Sequence, residues 1–405
     1  MPRHHVQTEI HLPASKSICN RALIINALSK SDTVVENLSD CDDTLVMENA
    51  LRDMPYTINI MAAGTAMRFL TSFLAVSDGE HIITGTERMK QRPIKILVDA
   101  LRQLGAQIEY TEKEGYPPLK IKGTELKGKS IQLPGNVSSQ YISSLLMIGP
   151  ALGNGLKLEM EGDVISRPYI NMTLNLMNSF GAEGRWTSDH CIEIGAKKYS
   201  PIAYRVENDW SAACDCYEIA ALSTSAKIVL PGLLKKSFQG DSVVKDLFEK
   251  LGVYTTFNDR GILLEKSGKP VDKMEYNFIN QPDLAQTFVV TCCLMNIPFV
   301  FSGLQSLKIK ETDRITALIA EMRKMGFIIK EEKGSILRWN GKKKAPEHLP
   351  VIDTYEDHRM AMAFAPAALV FDGLMINHPE VVSKSYPQFW THLKEAGFNL
   401  ELKEI

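Results

Sequence analysis

The sequence lacks most of the patterns that mark cofactor, metal and membrane proteins. No dinucleotide fingerprint GxGxxG occurs, and we expect neither the pattern GxxxxGK[ST] nor the nucleotide-binding phosphate loop that it marks. No pair of His or Cys residues has the spacing of zinc ligands. No apolar run approaches the roughly 20 residues that cross a bilayer. We therefore expect a protein without cofactor, metal or membrane partner.

Cysteine and net charge are also low. The seven cysteines are odd in number and show no CxxC spacing, which is typical of small buried thiols in a reducing compartment. The formal net charge of −2 argues against a nucleic-acid partner held by bulk electrostatics. The first residues, Met-Pro-Arg-His-His, lack the apolar run of a signal peptide, so we expect none. We expect a cytoplasmic protein.

The most informative feature that is present is a repeat of helix starts. Short polar segments lead into alanine-rich, apolar helix patterns near Ser15, Thr65, Ser138, Ser211, Asp283 and Asp357. From the second start onward the spacing is about 73 residues, a period that constrains the whole fold. The first unit is about 24 residues short, and we place the loss near 51–60, where a strand is expected. The pattern predicts six similar units.

A second series of helices alternates with the first. It is amphipathic and covers 93–105, 169–181, 242–252, 314–326 and 389–397, with 43–54 as an earlier member. Short β-like runs lie between the helices. The first series is apolar nearly all round, which predicts buried helices whose polar N-termini meet in one region. A helix N-terminus is favourable for anions, so we expect a site for a multiply anionic small molecule.

Candidate site residues gather at these helix starts. The candidate cations are Lys16, Arg21, Arg92, Arg167, Lys310, Arg314, Arg359 and Lys384. Together they suffice for two phosphate-sized anions. Asp283, Glu311 and Lys16 are candidates for moving protons. Each segment alone also fits a simpler structural explanation, either an N-capped helix or solvated surface charges.

Nine segments resemble, in order, the signatures of the 5-enolpyruvylshikimate-3-phosphate synthase family. They are PASKSICNRALI, AAGTAMRFL, ERMKQRPIKIL, GNVSSQYISSLLM, SRPYI, QPDLAQT, KIKETDRI, EDHRMAMAF and SKSYPQFW. The resemblance spans nearly the whole chain. It implies an α/β (α+β) fold, a two-domain inverse α/β barrel of six βαβαββ-type units with buried parallel helices, the first unit truncated.

The resemblance also implies where the domains divide and what they do. One domain is expected at 14–207 and the other at 1–13 with 208–405, with hinge crossovers near 12–15 and 206–210. The family transfers the enolpyruvyl group of phosphoenolpyruvate to the 5-hydroxyl of shikimate 3-phosphate and releases phosphate, on the route to chorismate. It uses no cofactor, and its members are monomers. Closure of the two domains is expected to exclude water.

Site residues follow from the motif positions. The resemblance assigns to shikimate 3-phosphate the residues Lys16, Ser17, Arg21, Ser138, Ser139, Gln140, Ser166, Tyr169, Asp283 and Lys310. It assigns to phosphoenolpyruvate the residues Lys16, Gly64, Arg92, Gln140, Arg314, Arg359 and Lys384. Asp283 is expected to take the proton of the 5-hydroxyl. Glu311, with Lys16 as an alternative or a helper, is expected to protonate the enol methylene.

Departures from the family pattern leave two rival interpretations. Ala62 and Ser306 stand where the family has asparagines, so weaker substrate affinity is expected rather than inactivity.

One rival interpretation is the sister transferase that acts on UDP-N-acetylglucosamine, but its motif pairs lysine with asparagine and its mobile loop carries a cysteine. This chain has Lys16-Ser17 and no cysteine in 84–92. The other rival is a non-catalytic relative that binds a phosphorylated metabolite.

Overall fold

Helices and short strands alternate along the described residues, 5–30 and 33–403, of this computed structural model. The helices are α1 (Lys16–Leu28), α2 (Asp42–Asp53), α3 (Gly64–Val76), α4 (Glu87–Lys90), α5 (Lys95–Gln103), α6 (Ser139–Ile148), α7 (Arg167–Ser179), α8 (Trp210–Leu222), α9 (Val244–Glu249), α10 (Ala285–Leu294), α11 (Arg314–Lys324), α12 (His358–Phe364) and α13 (Phe389–Glu395). The strands are β1 (His5–Glu9), β2 (Val35–Glu36), β3 (Thr57–Asn59), β4 (Glu80–Thr84), β5 (Gln107–Tyr110), β6 (Leu119–Lys122), β7 (Ser130–Pro134), β8 (Leu156–Glu161), β9 (Gly184–Ser188), β10 (Cys191–Ile194), β11 (Tyr204–Arg205), β12 (Ser225–Pro231), β13 (Val253–Asn258), β14 (Gly261–Lys266), β15 (Met274–Asn277), β16 (Phe299–Ser302), β17 (Lys330–Glu332), β18 (Ile336–Trp339), β19 (Val351–Ile352) and β20 (Met375–Ile376). The fold is mixed α/β.

Both predicted helix series are confirmed. The first comprises α1, α3, α6, α8, α10 and α12, and α3 and α10 have almost every residue buried. The start near Asp283 differs in detail, because Pro282–Leu284 forms a 3-10 turn and the α-helix begins only at Ala285. The second series comprises α2, α5, α7, α9, α11 and α13. In α5 and α11 the buried residues recur on one side, as expected of helices that lie on a surface.

Four sheets share one topology. Their strand orders are β3-β4-β6-β5, β7-β8-β10-β9, β15-β16-β18-β17 and β1-β12-β14-β13. In each sheet the first two strands are parallel and the other neighbours are antiparallel. Two further sheets have two parallel strands each, β11-β2 and β19-β20. In three of the four-stranded sheets the parallel pair is joined through a buried helix, which is α3, α6 or α10.

Two strands pair far from their neighbours in sequence. β1 pairs with β12, with Val6 opposite Ala226, and β11 pairs with β2, with Tyr204 opposite Val35. The chain accordingly divides into two compact units, one of Ala14–Val206 and one of Met1–Pro13 with Glu207–Ile405. Each unit has its own hydrophobic core. The predicted hinges, and the assignment of three repeats to each domain, stay predictions.

The loss in the first unit lies where the sequence placed it, near residues 51–60, but this segment does not lack a strand. Residues 51–60 do carry a strand, β3, which opens the sheet of the next repeat. The missing part is the antiparallel hairpin that follows α5, α7, α9 and α11. No such hairpin follows α2, nor α13 within the part of the chain that the structure describes. The deficit therefore removes a hairpin from the first repeat and leaves its strand-helix-strand portion in place.

A second correction concerns the phosphate-loop pattern. Residues 123–130 read GTELKGKS, which matches the letters GxxxxGK[ST], so the expectation that the sequence has no such pattern was wrong. In the structure these residues run from the end of β6 into β7, so a strand and not a helix follows them directly. A phosphate loop needs a helix N-terminus directed at the phosphates. The match therefore carries no nucleotide site.

Three further expectations concern the state of the cysteines, a membrane-spanning helix and a metal site. All seven cysteines are free, and all but Cys191 are buried. Within residues 5–30 and 33–403, no helix has the length and apolar character needed to cross a membrane. The same residues contain no group of three or more His, Cys, Asp or Glu side chains arranged to hold a metal ion.

Candidate functional site

The densest group of charges lies in the unit that contains residues 207–405 and is centred on Arg314. This residue begins α11, and its side chain is 1% exposed. Its guanidinium donates to Asp357 at 2.7 and 3.1 Å, to Asp283 at 3.1 Å and to Glu311 at 3.0 Å. Burial alone lowers the pKa of Arg314, but its three carboxylate neighbours outweigh burial and raise the pKa above its usual value. Arg314 is therefore a permanent cation.

Asp357 is the fully buried member of this group. Its Oδ2 accepts from Arg314 Nε, and its Oδ1 accepts from both Arg314 Nη2 and the backbone N–H of Arg359 at 3.0 Å. It is thus the N-cap of α12 and the bidentate partner of Arg314 at once. One carboxylate fixes the positions of two arginines.

Asp283 contacts three cations. Lys310 Nζ lies 3.3 Å and Arg314 Nη1 3.1 Å from its Oδ1, and Arg359 Nη2 lies 3.4 Å from its Oδ2. Burial alone raises the pKa of Asp283, but the charges of Lys310, Arg359 and Arg314 outweigh it and hold the pKa well below its usual range. The carboxylate is therefore ionised in the free protein.

Glu311 completes the cluster. Its Oε2 accepts from Arg314, and its Oε1 lies 3.3 Å from Lys384 Nζ. The side chains of Glu311 and Lys384 are 16% and 12% exposed. We name these seven residues the charged cluster: Asp283, Lys310, Glu311, Arg314, Asp357, Arg359 and Lys384. Its four cations face three carboxylates, so it is nearly neutral and can both hold anions and move protons.

Arg21 dominates the unit formed by residues 14–206. It is 3% exposed and donates to Thr173 Oγ1 at 2.7 Å, Ser143 Oγ at 3.2 Å and the Ser17 carbonyl oxygen at 2.7 Å. Its guanidinium also lies 5.2 Å from the centre of the Phe69 ring. Within the described ranges no carboxylate pairs with it. Burial lowers the pKa of Arg21 to about 10, so a buried positive charge is held by neutral dipoles alone.

Lys16 lies one turn before Arg21 on α1 but has a different partner. Its Nζ is 3.5 Å from Asp43 Oδ2, and the side chains are 16% and 4% exposed. Asp43 was not among the residues predicted from sequence. The prediction that Lys16 and Arg21 act on one anion is not tested by these contacts.

Gly64 allows two arginines to approach the start of α3. A Cβ at this position would lie 2.6 Å from Arg92 Nη1 and 3.0 Å from Arg68 Nη1. Arg68 donates to the Gly64 carbonyl oxygen at 2.9 Å. Arg92 forms no ion pair with any residue in 5–30 or 33–403. The N–H groups of the first helical turn and the Arg92 guanidinium are therefore available together for an anion.

The predicted hydroxyl and amide groups occupy the starts of α6 and α7. Ser138 caps α6 by accepting from the Gln140 N–H at 3.3 Å, and Gln140 Nε2 donates to Thr65 Oγ1 at 3.0 Å. Ser139 and Ser166 are buried. Ser166 has φ of 54°, a left-handed conformation that is strained for a serine. Tyr169 lies in the first turn of α7 and is half-buried.

Arg167 is engaged elsewhere. Its guanidinium lies 4.0 Å from the centre of the Trp186 ring and 3.4 Å from the exposed Asp189. The structure therefore gives this candidate cation a surface role in packing. Of the two departures from the family pattern, Ala62 is exposed just before α3, and Ser306 is half-buried in the 3-10 helix Gln305–Ile309.

Sequence reasoning missed several contributors. They are Asp43, Arg68, Ser143, Thr173 and Asp357. Asp357 lies in a quoted motif, and its place directly before a buried helix was a sequence signal for a cap. Ser143 and Thr173 are polar residues inside otherwise apolar helix stretches, which was a weaker signal of a buried polar contact. Asp43 gave no sequence signal of its role.

Comparison with known proteins gives full-length matches. A family model described as EPSP synthase (3-phosphoshikimate 1-carboxyvinyltransferase) matches residues 1–60 and 53–393. A protein of that enzyme name from Bacteroides fragilis is 58% identical over 399 residues, which cover 98% of this chain and 97% of the relative. Another from Pasteurella multocida is 37% identical over an alignment of 423 positions, which includes 96% of this chain and 95% of the relative.

Solved structures show the same fold. EPSP synthase from Acinetobacter baumannii superposes with a TM-score of 0.78 at 21% identity, over 99% of this chain and 98% of that one. The enolpyruvyl transferase NikO from Streptomyces tendae gives 0.72 at 14% identity, over 98% and 96%. The structural matches show the fold alone, whereas the sequence matches identify the family. They show that the chain belongs to the family of EPSP synthases, the 3-phosphoshikimate 1-carboxyvinyltransferases.

Proposed function

We infer that the protein transfers the enolpyruvyl group of phosphoenolpyruvate to the 5-hydroxyl of shikimate 3-phosphate, with release of inorganic phosphate. Family membership along the whole chain supports this reaction, which lies on the route to chorismate and the aromatic amino acids. The observation that carries the chemistry is the contact of Arg314 with both Asp283 and Glu311. Two carboxylates held on one permanent cation provide the base and the acid that the reaction needs.

The assignment of shikimate 3-phosphate is supported mainly by Arg21, which has no negative partner among the described residues. A phosphate dianion would neutralise Arg21, whose buried charge has only neutral partners in the described ranges. The hydroxyl and amide groups at the helix starts suit a sugar-like ring with several hydroxyls. The proposed set is Lys16, Ser17, Arg21, Ser138, Ser139, Gln140, Ser166, Tyr169, Asp283 and Lys310.

Phosphoenolpyruvate is assigned to cations near carboxylates or helix N-termini. Arg92 beside Gly64 suits its phosphate, since the first turn of α3 adds N–H donors. The arginines of the charged cluster suit a carboxylate bound through two parallel hydrogen bonds. The proposed set is Lys16, Gly64, Arg92, Gln140, Arg314, Arg359 and Lys384.

The proposed chemistry is an addition followed by an elimination. Glu311, with Lys16 as helper or alternative, gives a proton to the methylene carbon, and the 5-hydroxyl oxygen bonds to the adjacent carbon while Asp283 takes its proton. The resulting ketal carries a methyl group, both oxygens and the phosphate. In the second step Glu311 takes a proton back from the methyl group, the carbon–oxygen bond to phosphate breaks, and the double bond re-forms. The proton held by Asp283 leaves with the phosphate. Nearby carboxylates stabilise the positive charge that develops on carbon.

Substrate binding would make Asp283 a better base. In the free protein three cations hold its pKa well below the usual range, and such a carboxylate accepts a proton poorly. An anionic substrate on Arg314 and Arg359 would share their charge and raise the pKa of Asp283. The base would then gain proton affinity only when its substrate is bound.

The finer description of the fold is also a proposal. The recurrence of one sheet topology supports six βαβαββ-type repeats arranged as inverse α/β barrels, with hairpins absent from the first and last repeats. A monomer in the cytoplasm, with no nucleic-acid or membrane partner, stays a prediction.

Phosphate release tests the function. The protein is mixed with phosphoenolpyruvate and either shikimate 3-phosphate or UDP-N-acetylglucosamine. Release that requires shikimate 3-phosphate is the expected result. Release only with the UDP sugar would identify the sister transferase, and none with either acceptor would identify a non-catalytic relative.

A further inference from the structure

The turn between β19 and α12 holds an unfavourable backbone conformation just before two members of the charged cluster. Tyr355 and Glu356 have φ of 54° and 55°, although neither is a glycine. Left-handed conformations crowd Cβ against the following carbonyl oxygen, and they rarely occur at two successive L-residues. Such strain persists only where surrounding contacts hold it. The contacts of this turn therefore decide how Asp357 and Arg359 are placed.

Glu321 on α11 holds the first half of the turn. Its side chain is 0% exposed. Its Oε1 accepts from the Tyr355 hydroxyl at 2.6 Å, and its Oε2 accepts from the Asp353 N–H at 3.1 Å. Lys324 Nζ lies 2.7 Å from Glu321 and 2.8 Å from Asp353. A buried carboxylate with these partners is a rigid anchor, because each oxygen is satisfied by groups that face it.

Arg314 holds the second half of the turn from the same helix. It binds Asp357 with two hydrogen bonds, and the Asp357 N–H donates to the Thr354 carbonyl oxygen at 2.9 Å. Arg314 and Glu321 lie about two helical turns apart on α11, so they share one face. One side of α11 therefore grips the turn at both ends, and the left-handed residues lie between the two grips.

We propose that Glu321 and Tyr355 are positioning residues for the reaction, because they hold the left-handed turn that places Asp357 against Arg314 and starts α12 at Arg359. The inference rests on the proposed assignment of Arg314 and Arg359 to phosphoenolpyruvate. Neither Glu321 nor Tyr355 belongs to the sets proposed to touch a substrate. They affect substrate binding only by holding the turn in place.

Loss of the Tyr355 hydroxyl should act selectively. Without that hydrogen bond the turn relaxes toward negative φ, the Asp357 carboxylate moves, and both arginines lose their fixed geometry. Most residues of the proposed shikimate 3-phosphate set, those around Arg21, lie in the other unit and keep their contacts, and Asp283 keeps its contact with Lys310. Phosphoenolpyruvate binding should therefore weaken while shikimate 3-phosphate binding changes little.

The test is Tyr355→Phe, with Tyr254→Phe as the matched control on an exposed tyrosine of the same unit. We expect KM for phosphoenolpyruvate to rise about 10-fold, the scale of a hydrogen bond to a charged group, and KM for shikimate 3-phosphate to stay within about 2-fold. Adding Glu356→Gly should recover most of the loss, since glycine adopts left-handed φ without strain. A Tyr355→Phe protein with unchanged KM values, or with equal rises in both, would overturn the proposal, as would failure of the glycine to rescue.

Two further measurements separate this inference from the proposed function. Arg359→Ala tests the assignment of the arginine itself, and an unchanged KM for phosphoenolpyruvate would refute that assignment. Hydrogen exchange at the Arg359 amide, which is capped by Asp357, reports the turn without any substrate. Tyr355→Phe should speed this exchange about 10-fold, and an unchanged exchange rate would overturn the positioning role.

Discussion

The two units treat buried positive charge in opposite ways. In residues 14–206, Arg21 is buried among hydroxyls, a carbonyl oxygen and an aromatic ring. In residues 207–405, Arg314 is equally buried but contacts three carboxylates. The first arrangement has no counter-ion among the described residues, and we propose that the phosphate of a substrate supplies one. The second is already neutralised, so its carboxylates remain available for proton transfer.

The comparison separates binding from chemistry. A cation held by neutral dipoles destabilises the free protein, because burial of the charge is only partly compensated. On the proposed assignment, the phosphate of the substrate would supply the missing charge. A cation surrounded by carboxylates has its charge compensated within the protein, and removing it leaves buried negative charges unpaired. The following variants test this division, from the largest expected effect to the smallest.

The largest effect should come from the proposed base. Asp283→Asn keeps the shape of the side chain but cannot take a proton, so turnover should fall about 100- to 10,000-fold. Steady-state phosphate release measures it, with the exposed Asp272→Asn as control. Glu311→Gln should lower turnover by at least about 100-fold in the same assay. Near-normal turnover in both variants would mean that the charged cluster does not perform the acid–base steps.

Replacing the two arginines by methionine should affect stability in opposite directions. Arg314→Met leaves Asp357 buried without its bidentate partner and should lower the free energy of unfolding by about 3–5 kcal/mol. Arg21→Met removes an uncompensated charge, and its partners Thr173 and Ser143 already bond each other at 2.8 Å. Its free energy of unfolding should be unchanged or higher. Urea denaturation checks both, and equal losses would remove the contrast between the units.

Asp215 should make the stability of the unit that contains residues 207–405 depend on pH. Burial raises the pKa of Asp215 to about 7, although the Arg359 charge opposes this. Because an unfolded Asp titrates near about 3.9, the folded state holds the extra proton between those values, and stability falls as pH rises through this window. Asp215→Asn should abolish a loss of about 2–4 kcal/mol between pH 4 and 8.

Urea unfolding at several pH values measures the Asp215 effect. The exposed Asp246→Asn is the control, since its side chain is 59% exposed. Parallel pH profiles for the natural protein and Asp215→Asn would show that this carboxyl does not hold its proton in the fold.

The smallest effect should come from Gly64→Ala. The added methyl group must displace the end of Arg92, which is flexible, so the fold should persist while KM for phosphoenolpyruvate rises about 10-fold. Gly153→Ala is the control in the same unit, because its Cβ would meet nothing closer than 3.7 Å. An unchanged KM would argue that the start of α3 does not contact that substrate.

Local patterns predicted the repeat well. Polar starts followed by apolar runs identified α1, α3, α6, α8, α10 and α12, because cap chemistry and helix periodicity are encoded over a few neighbouring residues. The loss from the first repeat was placed correctly near residues 51–60, between α2 and β3, but the sequence did not show that a hairpin is missing there. Only pairing to β4 shows that this strand belongs to the following sheet.

Long-range contacts were harder to predict. The bidentate bond between Arg314 and Asp357 joins residues that are 43 positions apart, and the partner of Arg21 at Thr173 is 152 positions away. Neither distance leaves a periodic trace in the sequence. The motif positions predicted that Arg21 and Arg314 belong to the site. They gave no indication that carboxylates neutralise Arg314 and not Arg21.

Phosphorus NMR of the complete reaction tests the central claim most directly. Phosphoenolpyruvate, shikimate 3-phosphate and the protein are mixed, and the phosphorus signals are followed to completion. We predict that the phosphoenolpyruvate signal is replaced by an equal amount of inorganic phosphate while a phosphate ester remains on the acceptor. Transfer of the phosphoryl group to the acceptor, or no change in either signal, would contradict the account.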